Sequence, residues 1–215
     1  MSQTSITPKS AGRPRDLELQ NRRRSEIIAT ATRQFASSGY GATDVQLIAD
    51  ELGVAKGTVY RYYSTKEELF LATVDEGMQR LQQTVDEATA AAQSLIDRVE
   101  LGIMAYLRYF DQHPDMIELI IQERAHFRDR VKPTYFLYRD ANLDPWRELF
   151  GEMIRDGQIR DIPVDRITAV ISDLLYGTIF TYHFAGRKKS LSVQCRDVID
   201  VVFHGILATA DSREQ

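Results

Sequence analysis

The sequence predicts an all-α protein. Apolar residues recur at helical spacing through most of the 215 residues, and no stretch shows convincing strand alternation. Helix-start boxes and helix-stop glycines bracket these periodic segments. A hydrophobic content of 43% with 27% charged residues supplies a core under a soluble surface.

Residues 1–14 are rich in Ser, Thr, Pro and Gly and carry no apolar period, the composition of an arm without structure of its own. The first helix is expected from about Asp16 to Ser38, with Ile27, Ile28, Ala31 and Phe35 as its apolar stripe. Thr43 and Gln46 have capping-box spacing for a second helix, on which Leu47, Ile48 and Leu52 share a face. Gly53 suits the left-handed turn that follows. A short third helix is expected over Lys56 to Tyr63, with Val54 and Val59 at staple spacing around its start. Ser64 and Glu67 form the next box and open a long helix to about Ala92, apolar early on at Leu69, Phe70, Thr73 and Val74. Ser94 with Asp97 starts another, which ends near His113. Pro114 suits the first position of a helix to about Phe127. One more is expected from about Pro133 to Asp156, kinked or interrupted at Pro145 and stopped by Gly157. Helices from Val164 to Phe184 and from Ser192 to Ala210 complete the chain.

The short third helix is the most informative element. Its outward residues are Lys56, Gly57, Thr58, Tyr60, Arg61 and Tyr62, a set with two cations, a hydroxyl, two phenols and no acid. That is the chemistry of a surface that meets phosphates and base edges. Gly57 costs about 1 kcal/mol against Ala inside a helix, which makes sense where a backbone passes close to a sugar-phosphate strand. A solvated polar helix pair is the competing reading; caps, turn and polar face together favour nucleic acid. Arg22, Arg23 and Arg24 lie just upstream of the first apolar stripe; at least one of them is expected to steer phosphate, a solvated charge run being the other reading. Charge divides the same way. Residues 1–66 hold ten Lys/Arg against six Asp/Glu, and residues 67–215 hold 17 against 25, a basic end on an acidic body.

These residues resemble the tetracycline-repressor (TetR) family of bacterial transcriptional regulators. The likeness runs from Ile27 to Phe70: Ile-Ile-Ala-Thr-Ala at 27–31, Phe35-Ala36, Gly39-Tyr40, Ala42-Thr43, Ile48-Ala49, Gly53-Val54, Lys56-Gly57-Thr58-Val59-Tyr60 and Lys66-Glu67-Glu68-Leu69-Phe70. Gly12-Arg13-Pro14-Arg15 is similar to the basic arm of many members. Two positions depart from the pattern. Ala55 stands where the family often has Ser, which leaves the recognition helix without a side-chain cap, and Tyr62-Tyr63 replaces a common His-Phe pair. The resemblance implies a basic arm over 1–15, a helix-turn-helix DNA-binding domain over 16–64, and a helical effector-binding and dimerisation domain over 65–215. It further implies a homodimer on a palindromic operator in double-stranded DNA, acting as a repressor that a small molecule releases. The DNA-facing set is then Arg22, Thr43, Lys56, Gly57, Thr58, Tyr60, Arg61, Tyr62 and Lys66. Control by a metal ion or a protein partner is the alternative to an organic effector.

The last two helices carry apolar stripes wider than one core-facing surface requires, which suits burial against a second chain. The expected interface residues are Ile167, Val170, Ile171, Leu174, Thr178, Val198, Val202 and Ile206. Residues 103–153 are rich in aromatics and methionines; most serve a core, but phenols and thioethers also suit the wall of an apolar ligand site. Tyr106, Phe110, Ile121, Trp146, Met153 and Tyr176 are the expected lining. Glu123 and His126, three apart on one helical face, with His183 on a later helix, have metal-ligand spacing; an ion pair of Glu123 with Arg124 or Arg128 and a packed His126 is the other reading.

Several classes are excluded. The chain has no G-x-S-x-G, H-E-x-x-H or Walker loop, and Gly39-Tyr40-Gly41 reads as a turn, so no enzyme activity and no cofactor are expected. A single cysteine, Cys195, rules out an internal disulfide framework. No apolar leader and no run of about 18 apolar residues is visible, so no membrane partner and a cytoplasmic location are expected.

Overall fold

The computed structural model describes residues 14–186 and 189–205. The basic arm up to residue 13, and Ile206 with the end of the last expected helix, lie outside the described residues. The chain is all-α, with no strand among the described residues. It divides into two compact units, Met1–Thr73 and Val74–Gln215.

The first unit contains α1 (Pro14–Ser38), α2 (Val45–Glu51) and α3 (Lys56–Tyr62), with the start of α4 (Lys66–Thr89). Its core is built from Ile27, Ala31 and Phe35 of α1, Val45, Ile48 and Ala49 of α2, Val59 of α3, and Leu69 and Phe70 of α4, all essentially without solvent exposure. Phe35, Tyr40 and Phe70 meet edge-on or tilted, with centroids 5.1–6.0 Å apart, a geometry aromatic rings favour beyond simple burial. Gly39 and Gly53 close α1 and α2 at φ +82° and +64°, backbone that L side chains adopt only under strain.

Two helix starts differ by one residue from the expected boxes. Asp44, not Thr43, caps α2, its carboxylate accepting from Gln46 N at 2.8 Å. The Thr43 hydroxyl instead donates to the carbonyls of Gly39 (2.8 Å) and Gln34 (3.2 Å), tying down the turn after α1. At α4 the box is Thr65–Glu68: Glu68 N donates to Thr65 Oγ1 and Ser64 N to Glu68 Oε2. Tyr63 is extended at the end of α3, so Ser64 serves as linker and the cap moves on one residue. Leu47 is half exposed, leaving the inner face of α2 to Val45, Ile48 and Ala49.

The second unit holds the rest of α4, then α5 (Leu95–Gln112), α6 (Pro114–His126), α7 (Thr134–Ala141), α8 (Asp144–Arg155), α9 (Val164–Ala185) and α10 (Leu191–His204). Ser94 caps α5, with Asp97 returning the bond to Gln93 N. The segment expected to be one interrupted helix over 133–156 is two. α7 ends at Asn142, and Pro145 lies in the first turn of α8, where its missing N–H costs nothing. At Gly77 and Gly102 a Cβ would run into the Met116 thioether and the Trp146 indole respectively, so α4 and α5 are packed directly under those side chains. The Gly77 carbonyl also accepts from the Tyr109 hydroxyl at 2.7 Å.

α10 is moored to α5 by Asp111, whose carboxylate accepts from Leu191 N (3.0 Å) and Ser192 Oγ (2.7 Å). These are orphan donors at a helix start, and a carboxylate satisfies them well. Asp111→Ala is expected to cost about 1 kcal/mol, as loss of a cap does, and to lower the melting temperature by about 2–4 °C for a unit of this size. A thermal melt unchanged by the substitution would show that water replaces the carboxylate without loss.

Candidate nucleic-acid interface and ligand cavity

In the first unit α3 is held by Val59, which is fully buried, and turns the rest of its short surface outward. Its N-cap, Ala55, makes no side-chain bond to the helix start. Tyr60 and Arg61 are exposed, with Arg61 5.9 Å from the Tyr62 ring centroid. Gly57 has open space where a Cβ would stand, so nothing within the chain demands a glycine there. Tyr63 is buried, and its hydroxyl accepts from Arg24 Nε at 3.0 Å.

Lys56, Lys66 and Arg22 around this surface are already engaged. Lys56 Nζ donates to Asp44 Oδ1 at 2.6 Å. The backbone N–H of Gln46 and then Lys56 hold the Asp44 carboxyl below its ordinary range, and the Asp44 bond raises Lys56. Lys66 Nζ donates to the Gly41 carbonyl at 3.2 Å and lies 4.7 Å from the Tyr40 ring centroid, and partial burial lowers its pKa. Arg22 is exposed and pairs with Glu26 at 3.1 Å. Of the expected DNA-facing residues, Lys56, Gly57, Thr58, Tyr60, Arg61 and Tyr62 therefore share α3, and Lys66 begins the next helix. Thr43 differs from these: it is 1% exposed, and its hydroxyl donates to carbonyls of the turn after α1. Arg24, one of the three arginines expected to steer phosphate, instead donates to the hydroxyl of a tyrosine 39 positions away, a bond that leaves no local signal in the sequence.

In the second unit a cavity of about 150 Å3 lies among α4, α5, α7, α8 and α9. Met78, Leu81, Val99, Ile103, Phe150, Ile171 and Leu175 form much of its wall; Tyr106, Tyr135, Tyr138, Gln82, Arg139 and Asn142 bring polar groups to it. Trp146 lies across Gly102. The Tyr106 and Tyr135 hydroxyls are 2.8 Å apart. Burial pushes Tyr106 well above the usual phenol range and Tyr135 up to about 12. Arg139 pairs with Asp140 at 2.9 Å.

Of the six candidate ligand residues, Tyr106 and Trp146 line this cavity and the other four do not. Phe110 and Met153 are fully buried core residues. Ile121 lines neither described cavity, and Tyr176 borders a second one with Ile120, Arg124, Arg128, Arg130 and Phe136. Ile171, one of the expected dimer-face residues, borders the first cavity, and Val198 is largely buried within the chain. Val170 and Leu174 remain exposed on α9.

The three candidate metal ligands are not brought together. Glu123 is 1% exposed, and its Oε1 accepts from Arg130 Nη1, Thr134 N and Thr134 Oγ1 at 2.7–2.9 Å, pinning the loop between α6 and α7. His126 is exposed, and His183 Nε2 lies 3.4 Å from Glu118. Among the described residues no three His, Cys, Asp or Glu side chains gather as a metal would require. Cys195 is buried, and burial raises its pKa, which disfavours the reactive thiolate. No helix of the described residues is long and apolar enough to cross a membrane.

Residues 27–73 match the family described as bacterial regulatory proteins, tetR family. The chain is 27% identical to the HTH-type transcriptional repressor KstR2 of Mycobacterium tuberculosis over 194 residues, 86% of this chain and 94% of that protein. It is 27% identical to the transcriptional regulator YerO of Bacillus subtilis over 149 residues, which spans 63% of this chain and about half, 51%, of that protein. The fold is similar to that of FadR from Bacillus subtilis in complex with stearoyl-CoA, with a TM-score of 0.72 at 21% identity, covering 85% of this chain and 99% of that one.

Proposed function

We propose that this chain, whose residues 27–73 match the tetR family of bacterial regulatory proteins, binds an operator in double-stranded DNA as a homodimer and represses transcription until a small, largely apolar effector releases it. The observation that carries this reading is the outward face of α3, with Lys56, Thr58, Tyr60, Arg61 and Tyr62 on a seven-residue helix anchored by Val59. A helix so short reads few bases; two copies related by a two-fold axis read a palindrome. In this assignment residues 1–15 form the basic arm, 16–64 the DNA-binding domain, and 65–215 the effector-binding and dimerisation domain. The cavity beside α4 takes the effector, and α4 belongs to both units. The stearoyl-CoA in the FadR complex gives one instance of an apolar chain bound on this fold. An effector acts only through its different affinity for the DNA-bound and released forms. The gathering of Glu123 with Arg130 and Thr134, rather than with His126 and His183, favours an organic effector over a metal ion.

Selection of bound sequences from random duplex DNA tests the reading, and a two-fold symmetric sequence is the expected product. On that sequence Lys66→Ala is expected to weaken binding and lower the slope of log affinity against log salt by about 1, as loss of one phosphate contact does. Failure to enrich any sequence would sink the operator reading. An unchanged slope with altered base preference would move Lys66 from phosphate to base recognition.

A further inference from the structure

The two phenols in the first cavity leave a proton over. Tyr106 on α5 and Tyr135 on α7 each carry one hydroxyl proton, and their 2.8 Å contact uses one of the two. Neither hydroxyl makes a second hydrogen bond to any described residue. Both phenols stay protonated at neutral pH, because burial is the main cause raising each of them. The rings are fixed by their neighbours: Tyr106 lies 5.1 Å from Phe110, and Tyr135 4.9 Å from Tyr176 and 5.2 Å from Phe136. The remaining donor is thus held in place at a wall that is otherwise largely apolar.

We propose that the Tyr106–Tyr135 hydroxyl pair is the polar recognition element of the effector cavity, and that it selects compounds whose apolar body carries an uncharged oxygen acceptor, such as the carbonyl of a ketone, ester or thioester. This rests on the effector reading above and names the chemistry of that effector. Solvent in the cavity can take the spare proton. A compound that displaces solvent without offering an acceptor strands a buried donor, whereas one with a carbonyl replaces the bond it removes. A carboxylate is disfavoured, because a buried charge needs a partner and the Arg139 guanidinium is already paired with Asp140. The cavity volume of about 150 Å3 is that of an apolar cavity known to admit benzene. The part of the effector that sits here is therefore about the size of one small ring with its carbonyl.

Acetophenone and ethylbenzene isolate the hydrogen bond, since they differ by a carbonyl in place of a methylene. Their affinities for the full chain, read by ligand-observed NMR titration, are expected to differ by about tenfold in favour of acetophenone. In the double variant Tyr106→Phe/Tyr135→Phe that preference should vanish. Removing both partners of a hydrogen bond while keeping their shape is close to neutral for folding, so its melt should stay near the parent's. Each single variant keeps one phenol as a donor and should retain part of the preference. Equal affinities for the two probes in the parent chain, or a preference that survives the double variant, would overturn the proposal. Binding of neither probe to the parent would overturn the cavity as an effector site and the proposal with it. A preference that depends on the tyrosines while operator affinity ignores both probes would uphold the recognition element and defeat the effector reading.

Discussion

Phe70→Ala is expected to cost about 3–5 kcal/mol, the usual price of emptying a phenylalanine site in a core. Phe70 is fully buried, edge-on to Phe35 and Tyr40 with both centroids 5.1 Å away. The loss removes both the ring's transfer energy and its two aromatic contacts. The unit that ends at Thr73 is small, and small units bury too little surface to absorb such a loss. With total stabilities of about 5–15 kcal/mol typical of whole domains, operator binding should vanish at 37 °C and the chain should melt well below the parent. Phe70→Leu keeps most of the volume and should recover much of the difference. A Phe70→Ala melt that overlays the parent's would show that the ring is not part of the core.

Leu174→Arg is expected to split the proposed dimer. On α9, Val170 and Leu174 are 60% and 37% exposed and lie one turn apart; on α10, Val193 and Val201 are half exposed. Apolar residues spaced along one helix face, left in solvent within a single chain, suit burial by a second copy. A two-fold interface repeats every change, so one substitution buries two guanidinium groups, at several kcal/mol for each left unpaired. Sedimentation velocity should show monomer. Affinity for a palindromic operator should fall by about 100-fold or more, because the second half-site loses its tethered reader. A variant that sediments as a dimer with parental affinity would place the interface on another face.

What the sequence made legible was local. The turn between α2 and α3, the polar face of α3, the Ser94–Asp97 box and Pro114 at the start of α6 all depend on residues within a few positions of each other. Which residue caps a helix depended on its neighbours. Thr43 lost the capping role because carbonyls of the preceding turn take its hydroxyl, and Ser64 lost it because Tyr63 ends α3 in extended backbone. The cavity was much less legible. Periodicity marks Phe110 and Met153 as apolar but does not tell a core position from a wall. Tyr135 and Gly102 gave no sign of their part, since one matters through a partner 29 residues away and the other through the indole that its missing Cβ admits. The α9 stripe likewise mixed two fates, with Ile171 turned to the cavity and Val170 to the outside.

The contact between Lys56 and Asp44 also bears on how a regulator finds its target among the many wrong sites of a chromosome. A free cation on the reading surface would cling to any phosphate and slow the search. Here the lysine is already satisfied at 2.6 Å by a carboxylate. Turning it to DNA would leave that carboxylate with only its cap bond from Gln46 N, next to a polyanion, a penalty incurred at every site. If α3 meets DNA as proposed, only a sequence that also engages Tyr60 and Arg61 would offset it, and the pair would shorten dwell on random duplex more than on the operator. Asp44 would then act as a proofreading charge, trading some final tightness for faster turnover of mistaken encounters.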